Sequence, residues 1–285
     1  MEFNKKIVQF QKKNFLLLGY QKAALSNLKE SLKINGKTNV KLYDIKKFNY
    51  KEIKKSTSLE DVNRNKILKY IKNYNIILGT SELELESNLA NFFFNNKIDF
   101  YCYVDSNVNM KIRFENFSKF PKKIITLNRI VISQIKKEFF KESRKTKFYD
   151  LKMPYQNNLK NKYSHYLRND QIILYLSSHI GIFEDKKNIE ILTKHKHNKK
   201  VYVIIHPREK KNFWIKKFKM EKKVKIFKDI NFYKNKNIKK VYGVSTMALI
   251  NYKFAGFDVF YFYSKYLVNN PFMKFIKHYK IKKVI

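Results

Sequence analysis

Two short motifs in the second half of the chain follow predicted strands and carry groups that bind anions. The first, His206-Pro207-Arg208, comes directly after the β-branched and aromatic run Val201–Ile205. Proline has no backbone N–H to continue a sheet, so we expect the strand to stop there with an imidazole at its carboxyl end. His206 and Arg208 could donate hydrogen bonds to a phosphate and stabilise a leaving group. The alternative is a loop histidine without a function.

The second motif consists of Gly243, Ser245 and Thr246. It lies between a predicted strand, Lys239–Val244, and an apolar helical run, Met247–Ala255. We expect Ser245 to cap that helix, and the first amides of the helix to point outward toward an anion. Gly243 would let a phosphate come close. The alternative is an ordinary capped helix after a strand. Both motifs would lie on one rim of a parallel sheet, where open α/β sheets bind ligands.

Carboxylates that could act as a general base occur in the first half of the chain. Asp105 ends the predicted strand Lys97–Val104, and Glu82 follows a Gly-Thr-Ser turn at the start of a predicted helix. Either could accept the proton of a sugar hydroxyl. The alternatives are structural, because Asp105 could cap a turn and Glu82 could complement the positive end of a helix dipole. No Asp-x-Asp sequence occurs, so no bound divalent ion is implied.

Strands alternate with helices along both halves of the chain. Predicted strands cover Asn14–Gly19, Val40–Tyr43, Asn75–Leu78, Lys97–Val104, Lys123–Leu127, Gln171–Leu176, Val201–Ile205, Val224–Phe227, Lys239–Val244 and Asp258–Tyr263. Predicted helices cover Gln21–Lys33, Leu59–Asn73, Glu82–Asn95, Val131–Lys141, Asp185–His195, Glu209–Lys219 and Thr246–Ala255. This alternation predicts an α/β fold with mostly parallel, doubly wound sheets.

The stretch Ser143–Asn169 is polar and aromatic and has no clear period, so it interrupts the alternation. We therefore predict two Rossmann-like domains, residues 1–150 and 171–285, joined by a linker at 151–170. The two domains are expected to face a central cleft, with ligands bound at the strand ends.

The composition is that of a folded protein. The chain has 285 residues, of which 44% are hydrophobic and 16% aromatic, enough for packed cores. The single cysteine, Cys102, lies in an apolar run, which argues against disulfides and cysteine metal sites. No apolar run approaches the roughly 18 residues of a membrane span. The N-terminus does not resemble a signal peptide, so we expect a cytoplasmic protein.

The net charge of +39 suggests nucleic acid as a partner, but the arginine content does not favour it. Only six of the 62 basic residues are arginine, and lysine is spread along the whole chain. Proteins that bind nucleic acids usually concentrate arginine for bidentate contacts. A basic surface could equally attract anionic lipid or an acidic glycan. Neither a Walker motif nor a GxGxxG motif occurs, so triphosphatase and dinucleotide-binding functions lack support.

Taken together, a strand followed by His206-Pro207 and a later strand followed by Ser245-Thr246 resemble bacterial sialyltransferases and polysialyltransferases of the GT-B type. In those families an HP motif and a Ser-Ser or Ser-Thr motif hold the nucleotide and phosphate of CMP-sialic acid. A third motif, two acidic residues followed by glycine, supplies the base. Its nearest counterpart by position is Asp105-Ser106-Asn107, which lacks the second acid and the glycine. The other candidate, Glu60-Asp61-Val62, has paired acids without the glycine.

The resemblance implies an inverting, metal-independent glycosyltransferase whose first domain binds the acceptor and whose second binds a nucleotide sugar such as CMP-sialic acid. Asp105 or Glu82 would deprotonate the acceptor hydroxyl. His206 and the helix end at Ser245 would stabilise the departing phosphate. The acceptor would be a cell-surface glycan or lipopolysaccharide, and the basic protein could contact the inner face of an anionic membrane. The donor is a substrate, and no further cofactor is implied.

Three alternatives to this interpretation stay open. One is another sugar-nucleotide enzyme, such as an epimerase. The second is a basic nucleic-acid-binding protein without catalytic activity. The third is an inactive relative, because the acidic-glycine motif is missing.

Overall fold

The computed structural model describes residues 14–19, 22–34, 39–44, 73–80, 84–106, 109–151, 159, 172–178, 182–195, 199–206, 209–228, 238–267 and 270–284. The chain separates into two compact units, Met1–Tyr155 (the first unit) and Gln156–Ile285 (the second unit). Each unit contains one six-stranded sheet, and its strands pair in parallel.

The first unit contains strands β1 to β6 and helices α1 to α4. The strands are β1 Asn14–Gly19, β2 Val40–Asp44, β3 Tyr74–Gly79, β4 Phe100–Val104, β5 Lys123–Thr126 and β6 Lys147–Asp150, in the order β2-β1-β3-β4-β5-β6. The helices are α1 Lys22–Ile34, α2 Glu84–Asn95, α3 Met110–Phe114 and α4 Arg129–Glu138, followed by a 3₁₀ helix at Glu142–Lys145. Helix α1 buries leucines at i, i+3 and i+7, namely Leu25, Leu28 and Leu32.

The second unit contains strands β7 to β12 and helices α5 to α8, with a different strand order. The strands are β7 Ile172–Leu176, β8 Lys200–Ile204, β9 Val224–Phe227, β10 Lys240–Gly243, β11 Asp258–Tyr261 and β12 Lys282–Lys283, in the order β12-β11-β10-β7-β8-β9. The helices are α5 Ile182–His195, α6 Lys211–Lys217, α7 Met247–Phe254 and α8 Phe272–His278, with a 3₁₀ helix at Lys265–Leu267.

Each sheet is doubly wound and has one point where the strand order reverses. In the first sheet this switch point lies between β1 and β3, and in the second between β7 and β10. Ligands of open α/β sheets bind at the carboxyl ends of the strands beside such a point. The predicted fold class, α/β with two Rossmann-like domains, is confirmed.

Several details differ from the sequence predictions. The interruption predicted from Ser143 onward is wrong for its first part, because Lys147–Asp150 pairs with β5 as an edge strand. Its side chains are partly exposed, so no buried apolar run marks this strand. Helices α3 and α8 and the short edge strand β12 were also not predicted.

Two predictions about organisation fall largely outside the described residues. The predicted helix Leu59–Asn73 lies there except for its last residue, and the linker at 151–170 except for its first residue and residue 159. The linker therefore stays a prediction. Across the described ranges, no helix has the length and apolar character needed to cross a membrane.

Candidate functional site

Three neighbouring strands of the second sheet end at one rim that carries both sequence motifs. The strands lie in the order β10, β7, β8. Ser245 and Thr246 follow β10, Ser177 follows β7, and His206 follows β8 after one intervening residue. The rim therefore places His206 and the Ser-Thr motif on either side of Ser177. Two further predicted residues, Pro207 and Arg208, lie outside the described residues.

A carboxylate holds the turn that carries His206. The backbone amide of His206 donates to Ser177 Oγ at 2.6 Å and to Glu209 Oε2 at 2.9 Å. The Ser177 hydroxyl also donates to Glu209, and the amide of Glu209 donates to the carbonyl of His206 at 2.9 Å. His206 and Glu209 are thus joined by two hydrogen bonds, one in each direction. The backbone amide of His206 is used within the turn. Sequence reasoning did not select Ser177, although it follows a strand as His206 does.

Helix α7 is capped by Thr246, so the prediction that Ser245 caps it is wrong. The side chain of Thr246 accepts a hydrogen bond from the amide of Ala248 at 3.3 Å. The capping position moves one residue along because the helix begins at Met247. The amide of Ala248 is therefore bonded to the capping side chain of Thr246. The half-buried Ser245 takes no part in capping the helix.

Gly243 has a packing function at the end of β10. A Cβ atom at this position would lie 2.9 Å from the carbonyl oxygen of Leu176 in β7 and 3.3 Å from Leu249 Cδ2 in α7. Any side chain would therefore push against a neighbouring backbone. The glycine allows α7 to pack closely on the strand ends. This packing explains Gly243 without a bound phosphate.

A buried carboxyl group lies below this rim. The side chain of Asp185, in the first turn of α5, accepts a hydrogen bond from the Tyr175 hydroxyl at 2.6 Å and lies 3.5 Å from the amide of Ser178. Asn188 donates to the Tyr175 hydroxyl at 3.2 Å. Burial raises the pKa of Asp185 to about 7, and the negative charge of Glu209 acts in the same direction. This carboxyl group therefore titrates near neutral pH.

The rim of the first sheet holds Asp105 in an ion pair with Arg113. Nη1 of Arg113 lies 3.0 Å from Asp105 Oδ1 and also donates to the carbonyl of Thr80, which follows β3. Nη2 donates to Ser106 Oγ at 2.8 Å. The Arg113 side chain is 4% exposed and that of Asp105 22%. The guanidinium from α3 thus connects the ends of β3 and β4 and leaves Asp105 partly accessible.

A second carboxylate of the first unit lies at the switch point of its sheet. Glu82 lies outside the described residues, but Glu86, from the same acidic run, is 2% exposed on α2. Its Oε1 would lie 3.3 Å from a Cβ on Gly19 and 3.6 Å from one on Gly79. These glycines are the last residues of β1 and β3. Because neither glycine has a side chain, the two positions leave room for the Glu86 carboxylate. An interaction with the helix dipole does not by itself explain why this carboxylate is buried.

Comparison with known proteins identifies the fold. No protein-family model and no curated protein matches the sequence. Among solved structures, the chain is similar to the crystal structure of an α/β-galactoside α-2,3-sialyltransferase from the luminous marine bacterium Photobacterium phosphoreum. The TM-score is 0.50 at 12% identity, and the match covers 96% of this chain and 99% of that chain. The likeness therefore extends over both units, and the chain has the two-domain fold of that enzyme.

Proposed function

We propose that this protein is a glycosyltransferase that moves a sugar from a nucleotide donor to a glycan acceptor. CMP-sialic acid is the donor that the HP and Ser-Thr motifs favour, and a cell-surface glycan or lipopolysaccharide is the acceptor. The observation that carries the proposal is the meeting of both motifs at one rim, beside the switch point of the second sheet. The proposal is further supported by the fold, which is similar over 96% of the chain to that of a sialyltransferase.

In this proposal the second unit binds the phosphate of the donor. The imidazole of His206 and the hydroxyl of Ser245 donate hydrogen bonds to it, and the positive end of α7 favours its negative charge. Glu209 accepts the backbone amide of His206 and holds the turn that places this residue at the rim, and the proposal assigns the imidazole to the phosphate. Pro207 and Arg208 belong to the same proposed site, as does Thr246 through its cap.

The proposed chemical step is an inverting displacement. The acceptor hydroxyl oxygen attacks the anomeric carbon on the face opposite the phosphate, and a carboxylate takes the hydroxyl proton. The bond from the anomeric carbon to the phosphate oxygen breaks, and the nucleotide leaves with the electron pair. His206 stabilises the negative charge that develops on that oxygen. Charge stabilisation thus comes from side chains and a helix end, without a metal ion.

Asp105 is the proposed base, with Glu82 as the alternative. The ion pair with Arg113 holds the Asp105 carboxylate in place just after β4, and 22% of its side chain is exposed. The pair engages Oδ1, so the partly exposed carboxylate can offer Oδ2 to the acceptor hydroxyl. The Asp105→Asn variant should therefore lose transfer activity while its affinity for the nucleotide stays unchanged.

Isothermal titration calorimetry with CMP, UMP, UDP and GDP tests the donor site. We expect selective binding of CMP by the wild type. His206→Ala should weaken it by roughly tenfold or more, since a hydrogen bond to a charged group contributes about 1.5–3 kcal/mol. Ser245→Ala should weaken it by roughly fivefold. His278→Ala, an exposed histidine on α8, is the matched control and should leave binding unchanged.

The other outcomes distinguish an error in the proposed donor from an error in the proposed class of enzyme. Preference for UDP or GDP would retain a nucleotide-sugar enzyme and replace the donor. Absence of binding to all four nucleotides would contradict the proposed function.

A further inference from the structure

Helix α6 and the segment after it expose large apolar side chains close together. Phe213 is 47% exposed, Ile215 46% and Met220 88%. The other exposed large hydrophobic residues in the described ranges are scattered along the chain, at Leu42, Ile112, Phe140 and Tyr263. Isolated apolar residues at a surface are ordinary, but a group within one short segment indicates an interaction site. We refer to residues 210–225 as the α6 surface.

Other residues form the buried face of this segment. Trp214 and Phe218, four residues apart, are buried, and their rings stack with centroids 5.8 Å apart. At about 100° per residue, Phe213 and Ile215 lie on opposite flanks of the Trp214 face, and Lys216 lies between them on the outward side. The apolar arc of α6 is therefore wider than the part that packs on the sheet.

The same surface is strongly basic. Eight lysines lie in this segment with a single acidic residue, Glu221, and all nine side chains are exposed: Lys210, Lys211, Lys216, Lys217, Lys219, Lys222, Lys223, Lys225 and Glu221. Lys217 also lies 5.8 Å from the ring centre of Phe213. Cationic and apolar groups are thus interleaved on one surface, a composition typical of segments that lie in a lipid interface.

We propose that the α6 surface docks on an anionic lipid bilayer. The lysines would bind headgroup phosphates, and Phe213, Ile215 and Met220 would insert among the headgroups and upper acyl chains. A nucleic acid would satisfy the lysines, but it offers no apolar medium to isoleucine and methionine, which cannot stack on bases as aromatic rings do. The inference uses no property of the proposed active site, so it stands or falls separately from the enzymatic activity.

The surface leaves the candidate site accessible. Because β8 and β9 are parallel, the connection between them, which contains α6, has to return along the sheet. Its first residues follow the His206 turn, and Met220 lies toward the opposite end of the strands. A bilayer in contact with this surface would therefore lie along the side of the second unit, and the rim that carries His206 would not be covered.

Co-sedimentation of the full chain with lipid vesicles tests the proposal. The wild type should bind vesicles of mixed phosphatidylglycerol and phosphatidylcholine, and it should bind far less to phosphatidylcholine alone. Removing three charges with Lys216→Gln, Lys217→Gln and Lys219→Gln should weaken binding by about 100-fold, since each lysine near an anionic bilayer contributes roughly fivefold. The apolar variant, with Phe213, Ile215 and Met220 changed to serine, should weaken binding by about tenfold or more.

Matched variants elsewhere on the chain serve as controls. Lys111, Lys119 and Lys122 are exposed lysines of the first unit, and Phe140 is 64% exposed there. Changing the three lysines to glutamine, or Phe140 to serine, should leave vesicle binding within about twofold of the wild type.

Circular dichroism of every variant establishes that it is folded, and an oligonucleotide is tested in the same way as the vesicles. Equal losses in the α6 and control variants would overturn the proposal, as would equal binding to both kinds of vesicle. A lysine variant of the α6 surface that loses oligonucleotide binding and keeps vesicle binding would identify a nucleic-acid contact. That result would also overturn the proposal.

Discussion

At the rim of the first sheet a buried guanidinium binds the strand ends, whereas at the rim of the second sheet carboxylates do so. Arg113 donates to the carbonyl of Thr80 and pairs with Asp105. In the second unit, Glu209 accepts the amide of His206, and Asp185 lies beside the next rim amide, that of Ser178. Each unit contains a six-stranded parallel sheet, but the charges that complete the two rims are reversed.

This reversal parallels the groups that the proposed function assigns to a ligand at each rim. In the first rim a cation satisfies backbone acceptors, and the partly exposed functional group is a carboxylate, Asp105. In the second, the carboxyl groups of Glu209 and Asp185 accept backbone amides, and the groups proposed for the ligand are an imidazole and a hydroxyl. The first rim is therefore suited to accept a proton, and the second to donate hydrogen bonds to an anion. The proposed function assigns the proton of the acceptor to the first rim and the phosphate of the donor to the second.

Among the variants that test this comparison, Arg113→Met should lower the free energy of unfolding most. The substitution leaves the carbonyl of Thr80 without its donor and Asp105 without its cation. We expect a loss of about 3 kcal/mol in the free energy of unfolding, at the lower end for a broken buried pair because Asp105 is partly exposed. Urea denaturation followed by circular dichroism measures it.

The matched control is Arg129→Met, because Arg129 is 77% exposed and lies 3.7 Å from Asp150. This exposed pair should contribute less than about 1 kcal/mol. Similar losses in both variants would mean that the first rim does not depend on its buried guanidinium.

The second rim should respond to pH through Asp185. The pKa of Asp185 in the folded protein, about 7, lies above its ordinary value of 3.8. Between these values the folded state keeps a proton that the unfolded state has lost, so the free energy of unfolding falls as pH rises from about 4 to about 7. The slope approaches roughly 1.4 kcal/mol per pH unit, or about 2–3 kcal/mol between pH 5 and 7.

Asp185→Asn cannot titrate, so its stability should depend less on pH across this range. Urea titrations at several pH values compare the two proteins. Parallel pH profiles for wild type and variant would show that Asp185 is not the group responsible.

The sequence predicted those parts of the rims that local patterns encode. Central strands such as β3 and β8 are apolar and buried, and their predicted limits agree within one residue. The residues that follow strands could likewise be placed on a rim. The Arg113 pair could not be predicted, because it depends on how α3 packs against β4, and a helix of five residues has too little periodicity to detect.

The glycines at the two switch points allow a sharper comparison of the sheets. A methyl group on Gly243 would lie 2.9 Å from a backbone carbonyl oxygen, which cannot move without the strand. A methyl group on Gly79 has its closest contact at 3.4 Å, with a Leu25 methyl group. Gly243→Ala should therefore cost about 2 kcal/mol, and Gly79→Ala should be within about 1 kcal/mol of neutral. Urea denaturation of both variants measures the difference, and equal costs would mean that the second rim is no more tightly packed than the first.

The smallest expected effect concerns the cap of α7 at the second rim. Thr246 accepts the amide of Ala248, so Thr246→Ala should lower the free energy of unfolding by about 1 kcal/mol. Ser245→Ala should change it by less than about 0.5 kcal/mol, because Ser245 does not supply the cap. The two variants should show the reverse ranking in nucleotide affinity, since the Ser245 hydroxyl is proposed for the phosphate and the Thr246 side chain is engaged in the helix. If Ser245→Ala were the more destabilising change and bound nucleotide normally, Ser245 would be a structural residue, and the second rim would lose one of the donors that distinguish it from the first.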